Sequence, residues 1–230
     1  MPRIWVSCCA ILLAVNAIEL HAALVFQPSG VSPGDQYRLV FLSSTTRDAT
    51  LPTIGVYNQF VQDLADAAPV VSTWGLTWRA MASTPTVHAI NNTTTFGTGV
   101  PIYRVDGHKV ANNYTDLWDG NLDIGIGITE LGTAPSSGPV WTGSDADGTG
   151  AFGLELGHAD GNAVYGTWQD SLSSEWMREQ FVSKPTSESH TFYAISNVVT
   201  AIPEINAFVQ LSLLGIVAAV FIKLRKRLSC

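Results

Sequence analysis

Residues 36–42 read Gln-Tyr-Arg-Leu-Val-Phe-Leu, a run of mostly apolar and aromatic side chains with one β-branched residue. Such a composition predicts a β-strand. A second β-rich run, residues 24–26, precedes it across the linker 28–34, which holds two prolines and two glycines. Because proline and glycine at this density favour turns, the chain is expected to open with two strands.

One strong amphipathic helix is predicted after Pro52. Apolar residues recur there at intervals of three and four, which places them on one face of an α-helix. They are Val56, Tyr57, Phe60, Val61, Leu64 and Ala68. Thr53 precedes them and is suited to cap the helix. The opposite side is expected to face solvent and carries Asn58, Gln59, Gln62, Asp63 and Asp66.

Short strands separated by turns are predicted from Leu76 onward. The candidates are residues 77–82, 102–105, 108–111, 140–143 and 191–196. The pair Asp106-Gly107 joins the second and third of these runs and favours a β-hairpin. We therefore predict an α+β fold with one early amphipathic helix and a loop-rich antiparallel sheet.

Both ends of the chain are predicted to interact with a membrane. Residues 1–22 have the layout of a signal peptide, with a weakly positive start, an apolar core and small residues at a cleavage point; an uncleaved anchor is the alternative. Residues 205–222 form an apolar run that spans roughly 27 Å as a helix, enough for a transmembrane segment, with a buried soluble helix as the alternative. The chain is thus divided into the signal peptide, an exported globular domain (23–200) and a tail (201–230).

The part of the chain between these ends is acidic and free of cysteine. Residues 23–202 hold seven Lys and Arg against seventeen Asp and Glu. This balance argues against nucleic-acid binding, which depends on cations that contact phosphates. Since residues 23–200 contain no cysteine, a disulfide and a thiol nucleophile are both excluded there.

The C-terminal tail combines a Pro203-Glu204 pair, the apolar run and a basic end that includes Arg225, Lys226 and Arg227. Together with the signal peptide, it resembles the PEP-CTERM sorting signal that exosortases recognise in biofilm-forming Gram-negative bacteria. The family usually has a second proline where this chain has Ile205. The resemblance implies export, at least transient anchoring in the membrane, contact with an exosortase, and transfer to the cell surface or extracellular matrix.

The body also resembles uncharacterised exported bacterial domains, many of which occur in PEP-CTERM proteins. The segments that carry the resemblance are residues 75–84, 100–107, 116–120, 140–143 and 192–196. These domains are similar in layout to the C-type-lectin-like and endostatin-like folds, in which an early helix precedes a loop-rich antiparallel sheet that ends in a strand near the start. The cysteines of animal lectin domains are missing here, so tryptophans and sheet packing are expected to stabilise the domain.

A candidate calcium site lies in the predicted loop around residues 145–148. Asp145 and Asp147 alternate there before a glycine, as oxygen ligands of Ca²⁺ do. The simpler interpretation is a plain turn, in which aspartate bonds to the local backbone and glycine supplies a positive φ. Apart from this calcium, no cofactor is predicted.

Candidate polysaccharide-binding residues lie next to other loops: Trp118, Asp119, Trp141 and Trp168. An exposed indole stacks on a sugar face and a carboxylate accepts hydrogen bonds from hydroxyls, whereas the alternative role for these tryptophans is core packing. The chain contains neither a His-Glu-x-x-His pair nor a Gly-x-Ser-x-Gly elbow. The prediction is a non-enzymatic surface or matrix protein with polysaccharide as its ligand; an exported hydrolase acting on envelope or matrix glycans and a structural matrix component without a ligand remain open.

Overall fold

The computed structural model describes residues 26–94, 99–135, 138–169, 173–180 and 182–202. Within these ranges the chain forms eleven strands, three α-helices and two short 3₁₀ turns. The strands are β1 (Gln36–Leu42), β2 (Arg47–Asp48), β3 (Trp78–Ala80), β4 (Ile102–Arg104), β5 (Lys109–Ala111), β6 (Pro139–Trp141), β7 (Asn162–Ala163), β8 (Tyr165–Thr167), β9 (Lys184–Pro185), β10 (Ser189–Ser196) and β11 (Val199–Thr200). The helices are α1 (Ile54–Ala67), α2 (Ala89–Thr93) and α3 (Tyr114–Leu117), and the 3₁₀ turns are Val71–Trp74 and Ser174–Trp176.

The two long strands, β1 and β10, form the centre of the main sheet. They pair antiparallel, with Val40 opposite Ile195 and Leu42 opposite Tyr193. Outward from this pair the order is β5-β4-β1-β10-β6-β8, and β2, β3 and β11 pair with the ends of the two central strands. The early strand and the closing strand that the sequence predicts are therefore both confirmed, and so is the α+β class.

The main sheet is mixed, so the prediction of a loop-rich antiparallel sheet is confirmed only in part. Strand β4 runs parallel to β1, and β6 runs parallel to β10. The reason lies in the connections: the chain crosses from β1 to β4 through α1, β3 and α2. A crossover of this length returns the chain to the same end of the sheet, whereas a hairpin reverses its direction.

Strand β1 is buried on both faces, which explains its nearly continuous apolar sequence. Tyr37, Leu39 and Phe41 enter one cluster of buried side chains, the first core. Val40 and Leu42 enter another, the second core. Because successive side chains of a strand point to opposite faces, the sheet separates the two cores.

Helix α1 covers the first core, as its amphipathic pattern predicts. Tyr57, Val61 and Ala65 are its buried residues, and the Tyr57 ring stacks on Phe192 of β10 at 5.2 Å between centroids. Thr53 occupies the N-cap position, but its side chain makes no capping hydrogen bond. The helix is thus held by burial of its apolar face more than by its cap.

Two of the polar residues on α1 do not face solvent, contrary to the prediction. The side-chain oxygen of Gln62 accepts the N–H of Trp78 at 2.7 Å, and that of Asn58 accepts the N–H of Ala80 at 2.9 Å. Strand β3 pairs with β10 on one side only, so alternate backbone groups point away from the sheet. Residues four apart on a helix, such as Asn58 and Gln62, are separated by roughly 6 Å along its axis. Residues two apart on a strand, such as Trp78 and Ala80, are separated by roughly 6.6 Å. Because the two spacings are close, α1 can accept hydrogen bonds from the free edge of β3.

The second core lies on the opposite face and is rich in indole rings. Trp118 stacks on Trp176 at 5.9 Å, and Trp176 contacts Tyr193 of β10 at 5.8 Å. Trp176 is fully buried and Trp118 is 6% exposed. This packing agrees with the expectation that tryptophans stabilise a domain without disulfides.

The predicted hairpin is confirmed, since β4 and β5 pair antiparallel and Gly107 takes a positive φ of 91° in the loop between them.

The first of the two predicted opening strands, residues 24–26, is described only at its last residue, which does not lie in a strand. Phe26 lies in irregular structure, and residues 24 and 25 lie outside the described residues.

The first and last parts of the described chain meet at the sheet. Strand β11 pairs antiparallel with β1, with Val199 opposite Tyr37, and the N–H of Gly34 donates to the carbonyl of Ala201 at 2.8 Å. In the part of the chain that is described, no helix has the length and apolar character needed to span a membrane. The predicted signal peptide and the predicted transmembrane segment at 205–222 lie outside that part.

Candidate functional site

The loop at residues 145–149 is a tight, internally bonded turn. The N–H of Asp145 donates to the carbonyl of Thr149 at 2.8 Å, and the N–H of Gly148 donates to the carbonyl of Asp145 at 3.0 Å. Asp147 accepts hydrogen bonds from the N–H and the hydroxyl of Thr149, at 2.9 and 2.6 Å. Gly148 has a φ of 78°, which only glycine adopts readily, so the Asp-Gly pattern here has the geometry of an aspartate turn.

The two carboxylates of this loop are in different environments. Asp145 forms a salt bridge with Arg178, and each side chain is 38% exposed. Hydrogen bonds from Thr149 lower the pKa of Asp147 below its ordinary value of 3.8. Both aspartates therefore have protein partners, and calcium binding, which stays a prediction, would require Asp145 to exchange the guanidinium for the ion. Among the residues described, no three His, Cys, Asp or Glu side chains are grouped closely enough to hold a metal.

A cleft of about 440 Å³ opens beside this turn. One wall is formed by the loop and the other by the segment that starts at the 3₁₀ turn Ser174–Trp176. The lining residues, which define the aspartate cleft, are Asp145, Ala146, Asp147, Ser174, Arg178 and Gln180. The walls present carboxylate acceptors, guanidinium and amide donors, and a hydroxyl that does both.

Asp119 lies on a neighbouring loop that abuts the aspartate cleft. It is exposed and accepts the N–H of Asn121 at 2.9 Å. At the next residue, Gly120, an added Cβ would lie 3.8 Å from that of Ala146 and 3.9 Å from that of Ser174, both of which line the cleft. The fold thus brings together the loops of Asp119, Asp145 and Asp147, three of the predicted site residues.

Trp118 packs beneath the surface against the 145–149 turn, so neither face of its ring is free. It is 6% exposed, and an added Cβ at Gly148 would lie 2.7 Å from its ring. The indole therefore packs directly against the turn and leaves no room for a side chain at that glycine. Its place in the second core agrees with the alternative interpretation of this residue as a packing residue.

Trp141 and Trp168 lie elsewhere in the fold. Trp141 is fully buried in the first core and donates through its indole nitrogen to the carbonyl of Glu188 at 3.2 Å. Trp168 is half-buried beside the second core, with its ring 2.7 Å from where a Cβ of Gly127 would stand. Neither residue lines the aspartate cleft, and a buried ring such as that of Trp141 is not available for stacking on a sugar.

The structure adds Ser174, Arg178 and Gln180, which sequence reasoning did not select. Arg178 is one of only seven cations in an acidic body, a signal that it shares with the six others. Its partner Asp145 lies 33 residues away, so no local pattern connects the two. The predicted sorting residues Pro203, Glu204, Arg225, Lys226 and Arg227 lie outside the described residues.

Comparison with models of known protein families gives no match, and comparison with curated protein sequences gives none either.

Proposed function

We propose that the chain is a non-enzymatic, exported protein of the cell surface or extracellular matrix that binds polysaccharide at the aspartate cleft. Export and anchoring are supported by the signal-peptide layout of residues 1–22 and by the PEP-CTERM-like tail. The acidic balance of residues 23–202 is in keeping with a protein that does not bind nucleic acid.

The chemistry of the aspartate cleft carries the proposal for the ligand. A sugar presents many hydroxyls, each of which donates and accepts, and the cleft offers both complements: Asp147 accepts, Gln180 donates and Ser174 does either. Its volume of about 440 Å³ falls in the range of roughly 300–1,000 Å³ typical of ligand sites. No other described feature combines this many exchangeable polar groups in one concave surface with predicted site residues.

The lectin-like topology belongs to this proposal too. An early helix, a loop-rich second half and a closing strand beside the opening one all agree with that layout. The parallel β1–β4 and β6–β10 pairs depart from the loop-rich antiparallel sheet that the resemblance implies. The loops that form the aspartate cleft belong to the loop-rich half.

A glycan hydrolase is the less favoured function for this cleft. Glycosidases need one carboxyl group that stays protonated near neutral pH, so its pKa must be raised. The hydrogen bonds from Thr149 act on Asp147 in the opposite direction and lower its pKa. Asp145 already forms a salt bridge with Arg178.

Binding to a glycan array tests the ligand. We would use the full-length chain in a polyoxyethylene detergent, because detergents with sugar headgroups compete for the site. Gln180→Ala is the informative variant, since the residue is exposed and lines the cleft; Gln59→Ala, on the exposed side of α1, is the matched control. We expect Gln180→Ala to weaken binding and Gln59→Ala to leave it unchanged.

The remaining outcomes separate the other functions. Binding by the wild type that Gln180→Ala does not alter would remove the aspartate cleft from the proposal. Release of reducing ends from a polysaccharide would identify a hydrolase, and failure to bind any glycan would leave the structural matrix component. Loss of binding after chelation that added Ca²⁺ restores would show that binding needs calcium, for which Asp145 and Asp147 are the candidate ligands.

Localisation has an independent test. Residues 1–200 are fused to a reporter that is active only after export, and the same fusion without residues 1–22 is the control. We expect activity only with the N-terminal segment present. An inactive full fusion would contradict the proposed export, whatever the glycan array shows.

A further inference from the structure

A second cavity, of about 220 Å³, lies at the end of the sheet face that carries the second core. We call it the arginine cavity, and its lining residues are Arg38, Thr77, Arg79, Ile195, Ser196 and Asn197. The side chains of Arg38 on β1 and Arg79 on β3 both lie on this face, with Val40 and Met81 two residues further on in the second core. The sheet therefore brings two guanidinium groups to one concave surface.

Arg38 is a buried cation with incomplete hydrogen bonding. Its residue surface is 1% exposed. Nε donates to the carbonyl of Ser196 and Nη2 to the carbonyl of Thr93, each at 2.8 Å, while Nη1 is buried without a partner among the described residues. The guanidinium also lies 5.4 Å from the centre of the Tyr114 ring.

The charge of Arg38 is not neutralised by the protein. Burial lowers its pKa to about 10, which leaves the side chain protonated at neutral pH. None of the ion pairs of the described residues includes Arg38. A buried charge is costly unless it is paired, so a built-in cation without a carboxylate indicates a place for an external anion.

Arg79 is the second cation of this cavity. It is exposed, and its one described hydrogen bond, to the carbonyl of Asn92, is long at 3.4 Å. Four of the seven cations in residues 23–202 form salt bridges with a carboxylate: Arg104, Lys109, Arg178 and Lys184. Of the three others, all in the described part of the chain, two line the arginine cavity, although carboxylates outnumber cations more than twofold in this body.

We propose that the arginine cavity binds the carboxylate of an acidic ligand, with the exposed Arg79 guanidinium contacting the carboxylate and the unpaired charge of Arg38 in the cavity wall attracting it. Planar guanidinium groups match the geometry of a carboxylate. A carboxylate carries one charge on two coplanar oxygens, which the planar fork of the Arg79 guanidinium can bind together. The space equals roughly seven water molecules, enough for the carboxylate and part of the group that carries it. This site is separate from the aspartate cleft and does not depend on the function proposed for it.

Titration calorimetry on the full-length chain in a polyoxyethylene detergent tests the proposal. The probes are galacturonate, its neutral counterpart galactose, an oligogalacturonate and inorganic phosphate. We expect galacturonate to bind, galactose not to bind, and affinity to fall as salt rises, because exposed charges are screened. If the carboxylate belongs to a polysaccharide, the oligogalacturonate binds more tightly than the monomer; equal affinity identifies a free small acid as the natural ligand, and either result supports the carboxylate site.

Variants locate the binding site. Arg79→Gln removes an exposed cation of the cavity and should weaken galacturonate at least about tenfold. Arg47→Gln is the matched control, since Arg47 is the third cation without a salt bridge and lies over the Tyr57 ring, outside the cavity. Gln180→Ala, in the aspartate cleft, should also leave galacturonate binding unchanged. Thermal unfolding of each variant verifies that it is folded.

A separate measurement covers Arg38, whose replacement by glutamine risks unfolding the protein. The side-chain Nε–H resonance of Arg38 in an ¹⁵N spectrum should shift when galacturonate is added to the wild type. Four results would each overturn the proposal: no binding of galacturonate, equal binding of galactose, tighter binding of phosphate, or affinity that is unchanged in Arg79→Gln.

Discussion

Replacing Asn58 by alanine would measure how much α1 stabilises the free edge of strand β3. The Asn58 side chain accepts the N–H of Ala80 at 2.9 Å and an N–H of Asn92 at 2.8 Å, and it donates to the Asn92 oxygen at 2.9 Å. Ala80 is fully buried and Asn92 is 4% exposed. Truncation therefore removes three hydrogen bonds and leaves the Ala80 N–H without this partner.

The size of the effect follows from these contacts. An unsatisfied buried donor costs about 1–3 kcal/mol, and a neutral hydrogen bond contributes about 1 kcal/mol net. Water can reach part of the vacated space, since Asn58 itself is only half-buried, so we expect a loss of about 2–3 kcal/mol in the free energy of unfolding. At about 2–4 °C per kcal/mol for a domain of this size, Tm should fall by about 4–12 °C.

Thermal and urea unfolding of the full-length chain, followed by circular dichroism, measures this difference. Gln59→Ala is the control, because Gln59 is exposed and its described side-chain bond reaches only Asp63, four residues on. Such a helix-surface pair contributes about 0.2–0.5 kcal/mol, so the control should lower Tm by no more than about 2 °C. If Asn58→Ala proves no more destabilising than Gln59→Ala, α1 does not satisfy the edge of β3 as we infer.

Two further predictions concern a close backbone contact and one titrating group. Gly166→Ala should destabilise the protein severely, with little folded material recovered, because its Cβ would overlap the backbone carbonyl of Trp176, whereas Gly138→Ala meets no atom within 4 Å and should fold normally. Thr149→Val should raise the pKa of Asp147 toward 3.8, as measured by ¹³C NMR of the carboxyl carbon. Because the folded-state pKa of Asp147 is lowered, its carboxylate stabilises the fold above pH 3.8, and this stabilisation disappears as the pH falls through the lowered pKa. The difference in Tm between wild type and Thr149→Val should therefore shrink in acid. A difference in Tm that does not depend on pH would contradict the assignment.

Local patterns in the sequence predict the elements whose signals are local. Strand β1, helix α1 and the β4–β5 hairpin follow from an apolar run, a three- and four-residue period and the Asp106-Gly107 pair. Each of these signals lies within a few residues of the structure that it specifies. The parallel β1–β4 pair has no such signal, because its direction depends on a crossover of about sixty residues.

The contacts of polar side chains are the part of the structure that local sequence patterns predict least well. Asn58 and Gln62 have the same residue character as solvent-facing helix positions, and only the position of the β3 edge distinguishes them. The Asp145 loop was predictable as a turn from its own sequence, but its contact with Arg178 was not. Arg38 does carry a local signal, because it is a cation within an apolar run and lies on the same side of the strand as Val40.

The pairing of β1 with β10 sets the order of events during synthesis. Val40 and its partner Ile195 are 155 positions apart, and a ribosome that adds about 5–20 residues per second separates their synthesis by roughly 8–30 s. Throughout that interval β1, with six of its seven residues destined for burial, has no partner strand from the end of the chain. The nascent protein therefore remains without its central ladder until β10 has been synthesised.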